Sequence, residues 1–177
     1  MTALGRTPQN TNLLQPTKYL LVFDRISTTQ YFCQSLNIPG ISLGEATINT
    51  PLIDIYSPGT KLSYNEFNIS FIIDEQLESW KQLYNWFQAI ASPQGFDERN
   101  RLTEIQNQYT PDTRFKNFSD STLTILSALN NPIMQVQFVN MFPVSLSDIA
   151  FDTSQSADNI ITASASFRYE YFTFVST

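Results

Sequence analysis

The chain of 177 residues contains no histidine, a single cysteine and only five glycines. Without histidine there is no imidazole base and no imidazole ligand for a metal. One cysteine, Cys33, excludes an intrachain disulfide and a cysteine-rich zinc site. No glycine-rich phosphate loop, no Gly-x-Ser-x-Gly elbow and no metal-ligand spacing occurs. Charge is also scarce: charged residues are 15% of the chain, with 10 Lys and Arg against 16 Asp and Glu, a net charge of −6. An acidic chain without a Lys/Arg cluster is poorly suited to gripping a phosphate backbone, because that affinity comes from counterion release by cations. No run reaches the roughly 18–20 apolar residues of a membrane span. The polar stretch Met1–Pro16 lacks the apolar core of a signal peptide. Synthesis in the cytoplasm, no enzymatic activity, no cofactor and no membrane anchoring are therefore expected.

What is abundant is aromatic and apolar: 14 Phe and 8 Tyr bring the aromatic fraction to 14%, and 42% of residues are hydrophobic. A core is affordable at this length. The low charge leaves little to solvate a large free surface, so other chains are expected to cover much of it.

Residues 1–16 carry no hydrophobic period and two prolines, which predicts a flexible arm preceding one domain over 17–177. Lys18–Ile26 and Gln30–Leu36 read as strands joined in a hairpin at Ser27-Thr28-Thr29, ended by a turn at Pro39-Gly40. Ile41–Asn49 and Pro51–Ile55 read as extended, with a turn at Ser57-Pro58-Gly59-Thr60. Phe67, Ile69, Phe71 and Ile73 alternate with polar residues, the period of a half-buried antiparallel strand. The period then lengthens. Asp74 is a helix N-cap, and Leu77, Trp80, Leu83/Tyr84, Phe87 and Ile90/Ala91 recur at helical spacing. This stripe places Trp80 in the core and leaves Trp86 off it, at an interface or exposed.

Phe96–Asp120 is the most polar stretch and reads as an insertion or loop, with room for a short helix near Asp97–Gln106. Strands follow at Ser121–Ala128, Ile133–Phe142 (broken by Pro143), Ser145–Phe151 and Ile160–Phe174. In the last, Ile161, Ala163, Ala165, Phe167, Tyr169 and Tyr171 share a face. The sum is a mainly β chain: six to eight antiparallel strands and one flanking helix in a sandwich or partly closed barrel. Cys33, in mid-strand without histidine, reads as an apolar filler. Strands of nine to fifteen residues exceed the usual mode of about five or six. Their outer faces carry Thr, Ser, Asn and Gln rather than Lys. Such edges either pair between subunits or are covered by the chain itself.

Four stretches in order carry a resemblance: KYLLVFDRISTTQYFCQSLNIPGISLGE (18–45), PLIDIYSPGTKLSYNEFNISFIIDE (51–75), LESWKQLYNWFQAIASPQG (77–95) and VQFVNMFPVSLSDIAFDTSQSADNIITASASFRYEYF (136–172). Together they resemble the tail tube proteins of contractile-tailed (T4-like) bacteriophages. That family includes the baseplate ring that initiates the tube and the tube proteins of contractile injection systems. The resemblance implies a β-sandwich or barrel with a flanking helix, six-fold homohexameric rings, and long hairpins joined into one inner β-barrel. Stacked rings form a virion conduit for genome ejection. The implied partners are other copies, the tail sheath, and baseplate or terminator proteins, with DNA passing the lumen unbound. Candidate subunit-interface residues are Tyr31 in the first hairpin, and Ile48, Asp54, Tyr56, Pro58 and Gly59 in the segment Ile48–Leu62. Asp54 and the Pro58-Gly59 turn are expected at its tip.

The main expectation is the repeated tube subunit. A second is a low-copy ring of the same fold, a tube initiator or a tail completion (terminator) protein. A third, from another class, is a monomeric β-sandwich carbohydrate-binding module using Trp80, Trp86 or Tyr109 as a platform.

Overall fold

A computed structural model describes residues 12–26, 32–91, 95, 117–154, 156 and 158–176. Among them run nine strands and one helix: β1 (Tyr19–Phe23), β2 (Cys33–Leu36), β3 (Ile41–Asn49), β4 (Asp54–Tyr64), β5 (Phe67–Ile72), α1 (Glu78–Ala91), β6 (Ser119–Leu126), β7 (Pro132–Leu146), β8 (Thr162–Arg168) and β9 (Tyr171–Ser176). The mainly β, antiparallel class with one helix holds, in an open rather than closed form. Seven strands form a path β1-β6-β7-β8-β5-β2, with β9 on the far side of β7. Strands β3 and β4 pair only with each other.

The path folds over on itself because β7 serves two sheets. Its first part pairs with β6 and β9, and from Phe142 onward it pairs with β8. The ladder slips between Pro143 and Ser145. Pro143 thus does not break the strand; a residue without an N–H sits at an irregularity where none is required. The last strand bends at the same level. Ile160–Phe174 is two strands, and at Tyr169-Glu170 the chain passes from the partner of β5 to the partner of β7. The bends are tied together: Glu170 N donates to Val139 O at 3.0 Å, and Asn140 Nδ2 to Glu170 Oε2 at 2.6 Å. Asn140 has φ 54°, a conformation that Asn tolerates better than most residues. The bend also resets the alternation, so Ala163, Ala165, Phe167 and Tyr169 are buried while Tyr171 is exposed.

Period two on β5, β6, β7 and β8 sends one face of each strand into a shared aromatic core. Phe67 lies against Phe138 (ring centroids 4.8 Å), Phe138 against Tyr169 (5.1 Å), and Phe23 against Phe167 (5.4 Å). Each such ring contributes roughly 1.5–3 kcal/mol by burial. β1 and β2 do not form the expected hairpin. They are opposite ends of the path, since Phe23 and Leu21 belong to the β6 side of the core and β2 follows β5. The Tyr19 hydroxyl bridges the gap, donating to Gln34 O at 2.8 Å.

Asp74 caps the helix from four residues ahead of it: its carboxylate accepts from Glu78 N (3.2 Å) and Ser79 N (3.4 Å). Desolvation pushes the Asp74 carboxyl up, but the backbone N–H groups around it, those of Glu78 and Ser79 foremost, together outweigh it and hold the carboxyl below its usual range. The buried face of α1 is Ser79, Leu83, Trp86 and Ala89. Trp86, expected off the stripe, is in the core beside Phe167, with its indole N–H on Asn117 O at 3.2 Å. Trp80 is only half-buried and stacks on Tyr84. Counting from Trp80 chose a face rotated away from the one that meets the sheet. Ser145–Phe151 is not a strand of its own: β7 ends at Leu146, and the described residues between it and β8 form no strand or helix. The segments 1–11 and 96–116, with the short helix expected near 97–106, lie outside the described residues.

Candidate assembly surface

No residue of β3 is buried, and on β4 only Gly59 and Tyr64 are even half-buried. At about 3.3 Å per residue the pair reaches roughly 30 Å from the body. A two-stranded ribbon with no third strand and no packed face is marginal by itself. Its root is held firmly. Tyr64 packs on Tyr169 (5.8 Å) and Phe172 (5.5 Å), Asn65 N donates to Gly40 O at 3.0 Å, and Tyr169 Oη donates to Asn65 O at 3.0 Å. Burial and the nearby Tyr64 hydroxyl push the Tyr169 phenol up to about 12, against a smaller lowering effect of Arg168.

The turn of the ribbon is Thr50–Ile53, not Ser57–Thr60. Thr50 Oγ1 accepts from Ile53 N at 3.2 Å and also donates to Ile53 O. Asn49 pairs with Asp54 beside this turn, so Asp54 does lie near the tip. Pro58 and Gly59 are in mid-strand. Pro58 pairs with Glu45, and the ladder slips between Leu43 and Glu45. A proline and a glycine that suggest a turn here serve a bulge. Gly59 is required by contact: a Cβ there would come within 2.6 Å of Gly44 O.

Five of the six predicted interface residues are therefore on this ribbon. Ile48 is 57% exposed opposite Ile55, and Tyr56 is 65% exposed opposite Thr47. Tyr31 lies outside the described residues. Ile41, Leu43, Leu52, Ile53, Ile55 and Leu62 join them as exposed apolar side chains that the expected list omitted. Part of the signal was present in the sequence, since Ile41 and Leu43 fall on alternate positions of a nine-residue strand, but Ile48, five residues beyond Leu43, does not continue that alternation.

The apolar stripe loses its single face at the bulge. Residues two apart on a strand share a face. Near the root, Ile41 and Leu43 stand with their partners Tyr64 and Leu62, and Ser42 with Ser63 on the other side. Beyond Gly44 apolar side chains stand on both faces: Ile48 pairs with Ile55 and Ala46 with Ser57 on one, while Tyr56 and Pro58 stand among Thr47, Glu45, Asn49 and Asp54 on the other.

The remaining edges are equally unguarded. β1, β2 and β9 contain no charged residue, although Lys and other charges are the common protection of a free edge. Among the described residues no group of three or more His, Cys, Asp or Glu could hold a metal, and no helix is long and apolar enough to cross a membrane. Cys33 is half-buried, and burial pushes its thiol up, away from nucleophilic use.

An antiparallel β-body, wrapped but open, that carries a long exposed two-stranded ribbon is the fold class these elements define. The chain belongs to the phage tail tube protein family, whose model matches residues 15–175. It is 25% identical over 168 residues to the tail tube terminator protein of Enterobacteria phage T4, covering 91% of this chain and 88% of that one. Its fold is similar to the tube-terminating cap of the anti-feeding prophage (TM-score 0.62, 11% identity, 100% of both chains covered). It is likewise similar to the sheath/tube terminator of an extracellular contractile injection system in the extended state (TM-score 0.62, 12% identity, 93% of this chain and 98% of that one).

Proposed function

We propose that this chain is the tube terminator of a contractile phage tail: a structural, non-enzymatic virion protein, made in the host cytoplasm, that forms a hexameric ring at the end of the tail tube. The observation that carries the assembly reading is the β3–β4 ribbon, whose Ile48, Leu52, Ile53, Ile55 and Tyr56 are exposed and uncovered among the described residues. Ribbons from successive copies, pairing edge to edge, would close into a ring and remove every free edge of β3 and β4. Contacts of this head-to-tail kind either close or grow without limit. The near full-length likeness to a protein named a terminator supports the closed, low-copy ring over the repeated subunit.

Ile48, Asp54, Tyr56, Pro58 and Gly59 are assigned to the contact between copies, with Tyr31 as a further member. The lumen would be bounded by ribbons whose charged residues are Glu45, Asp54 and Lys61. A weakly acidic, histidine-free wall lets DNA pass without holding it. The tube and the sheath are the neighbouring partners. The family assignment itself favours one second reading, the repeated tube subunit.

Copy number decides between them. Quantifying this chain against the major tube protein in purified particles is expected to give about one ring, roughly six copies, for a closed end. Hundreds of copies would establish the repeated subunit and end the terminator reading.

A further inference from the structure

The connection between β7 and β8 is far longer than its ends require. Leu146 pairs with Ala165 and Ser147 N donates to Ser164 O at 2.8 Å, so the strands are already adjacent where the chain leaves them. A hairpin there needs only two to five residues, and structureless connections beyond about 12–15 residues are usually functional. This one instead bounds an open cleft of about 780 Å³, lined by Asp148, Phe151, Asp152, Asn159, Ile160 and Ile161 among others.

Two features of the cleft point to what fills it. Phe151 is 77% and Ile160 67% exposed, large apolar side chains in a wall that also holds Ile161 and the polar Asp148, Asp152, Ser156, Asn159 and Thr162. The connection also carries Asp148, Asp152 and Asp158 and no Lys or Arg. Asp152 is fixed by accepting from Ser154 N (2.8 Å) and Ser154 Oγ (2.7 Å), which orders the loop while leaving the charge in place. The adjoining element adds to the same sign. Ile73 N donates to Ile161 O at 3.0 Å, and the residues that follow are Asp74, Glu75 and Glu78. Lys81, in the first turns of α1, has its ammonium on Gln76 O at 2.9 Å.

We infer that this cleft is a docking site for a segment of a different protein, one that presents an apolar side chain flanked by lysine or arginine. Charge argues against a second copy of the ribbon as occupant: its outer half carries Glu45 and Asp54 and no cation, and would be repelled. Phe151 and Ile160 supply the dry contact, and the three aspartates select the sign of the partner. The inference rests on the cleft alone and stands whether the chain is a terminator or a repeated subunit. It gives the molecule two unlike surfaces, an apolar ribbon for its own kind and an acidic cleft for something else.

The test uses the full chain and a dye-labelled twelve-residue peptide in which Lys alternates with Phe and Leu, read by fluorescence anisotropy. Control peptides replace Lys by Glu, or Phe and Leu by Ser. Binding to the first peptide is expected, weakening with added salt, and at least about tenfold weaker for both controls. Phe151→Ser with Ile160→Ser, and separately Asp148→Asn with Asp158→Asn, are each expected to weaken it about tenfold or more. All four residues are exposed, and circular dichroism checks that the variants fold. Absence of binding to the first peptide, or equal binding by the variants, overturns the inference. So does a change in the chain's own assembly, measured by sedimentation, when the aspartates are replaced, since that would make the cleft a contact between copies.

Discussion

The body and the ribbon use the same alphabet for opposite ends. In the body, alternating residues of β5, β7 and β8 put Phe67, Phe138 and Phe167 beyond the reach of solvent. In the ribbon, alternating residues of β3 and β4 leave Ile48 and Ile55 half in water. Both are regular antiparallel ladders with similar β-formers, so local propensity does not separate them. What separates them is whether a second layer of the same chain lies within reach. The body supplies its own, because β7 and the β8–β9 pair bend together and bring one sheet over the other. Among the described residues the ribbon has none, and under the proposed function another chain completes its stability.

Disrupting the body should therefore cost stability, and disrupting the ribbon should cost assembly. The largest effect is expected from Phe138→Ala, which removes the ring that Phe67, Tyr169 and Phe172 surround; urea unfolding should lose about 3–5 kcal/mol. Ile48→Ser with Ile55→Ser should abolish assembly in sedimentation while unfolding shifts by no more than about 0.5 kcal/mol. Tyr56→Pro, which removes a ladder donor, should do the same. Gly59→Ala drives a methyl group onto the Gly44 carbonyl, so assembly should weaken and the body's melting should stay put.

At the joint between body and ribbon the effect is smaller and depends on pH. The Tyr169 phenol titrates near 10 in the unfolded chain and at about 12 in the folded one, so the folded state keeps its proton longer. Its stabilisation is complete below pH 10 and is lost as pH rises from there through about 12. Tyr169→Phe should flatten that alkaline fall in thermal melts. The smallest effect is expected at Ser79, whose buried hydroxyl has no partner among the described residues. Ser79→Ala should leave stability unchanged or raise it by up to about 1 kcal/mol, and a clear loss would reveal a partner for that oxygen.

Much of this arrangement could be read in the residues. Period two on β5 and helical spacing after Asp74 identified the strand and helix that build the core, and Ile41–Asn49 is the strand expected. The failures share a cause. Pro58-Gly59 and Pro143 were read as turn and break because proline and glycine usually are, yet both lie at bulges inside long strands. Trp86 was misplaced because a helix rich in aromatics offers two stripes, and only the sheet beneath selects one. The pairing of β1 with β6 and β2 with β5 is set by long-range packing that no local pattern contains. Of the residues expected at the contact between copies, Ile48, Asp54 and Tyr56 lie on the exposed ribbon. The apolar tip at Leu52 and Ile53 was taken for the start of a strand.

The central claim is that the ribbon joins copies and the body does not depend on it. Negative-stain electron microscopy of the wild type beside Ile48→Ser/Ile55→Ser, at matched concentration, tests it directly. Closed rings for the wild type and dispersed, folded monomers for the variant are predicted. Rings in both, or in neither, would contradict it.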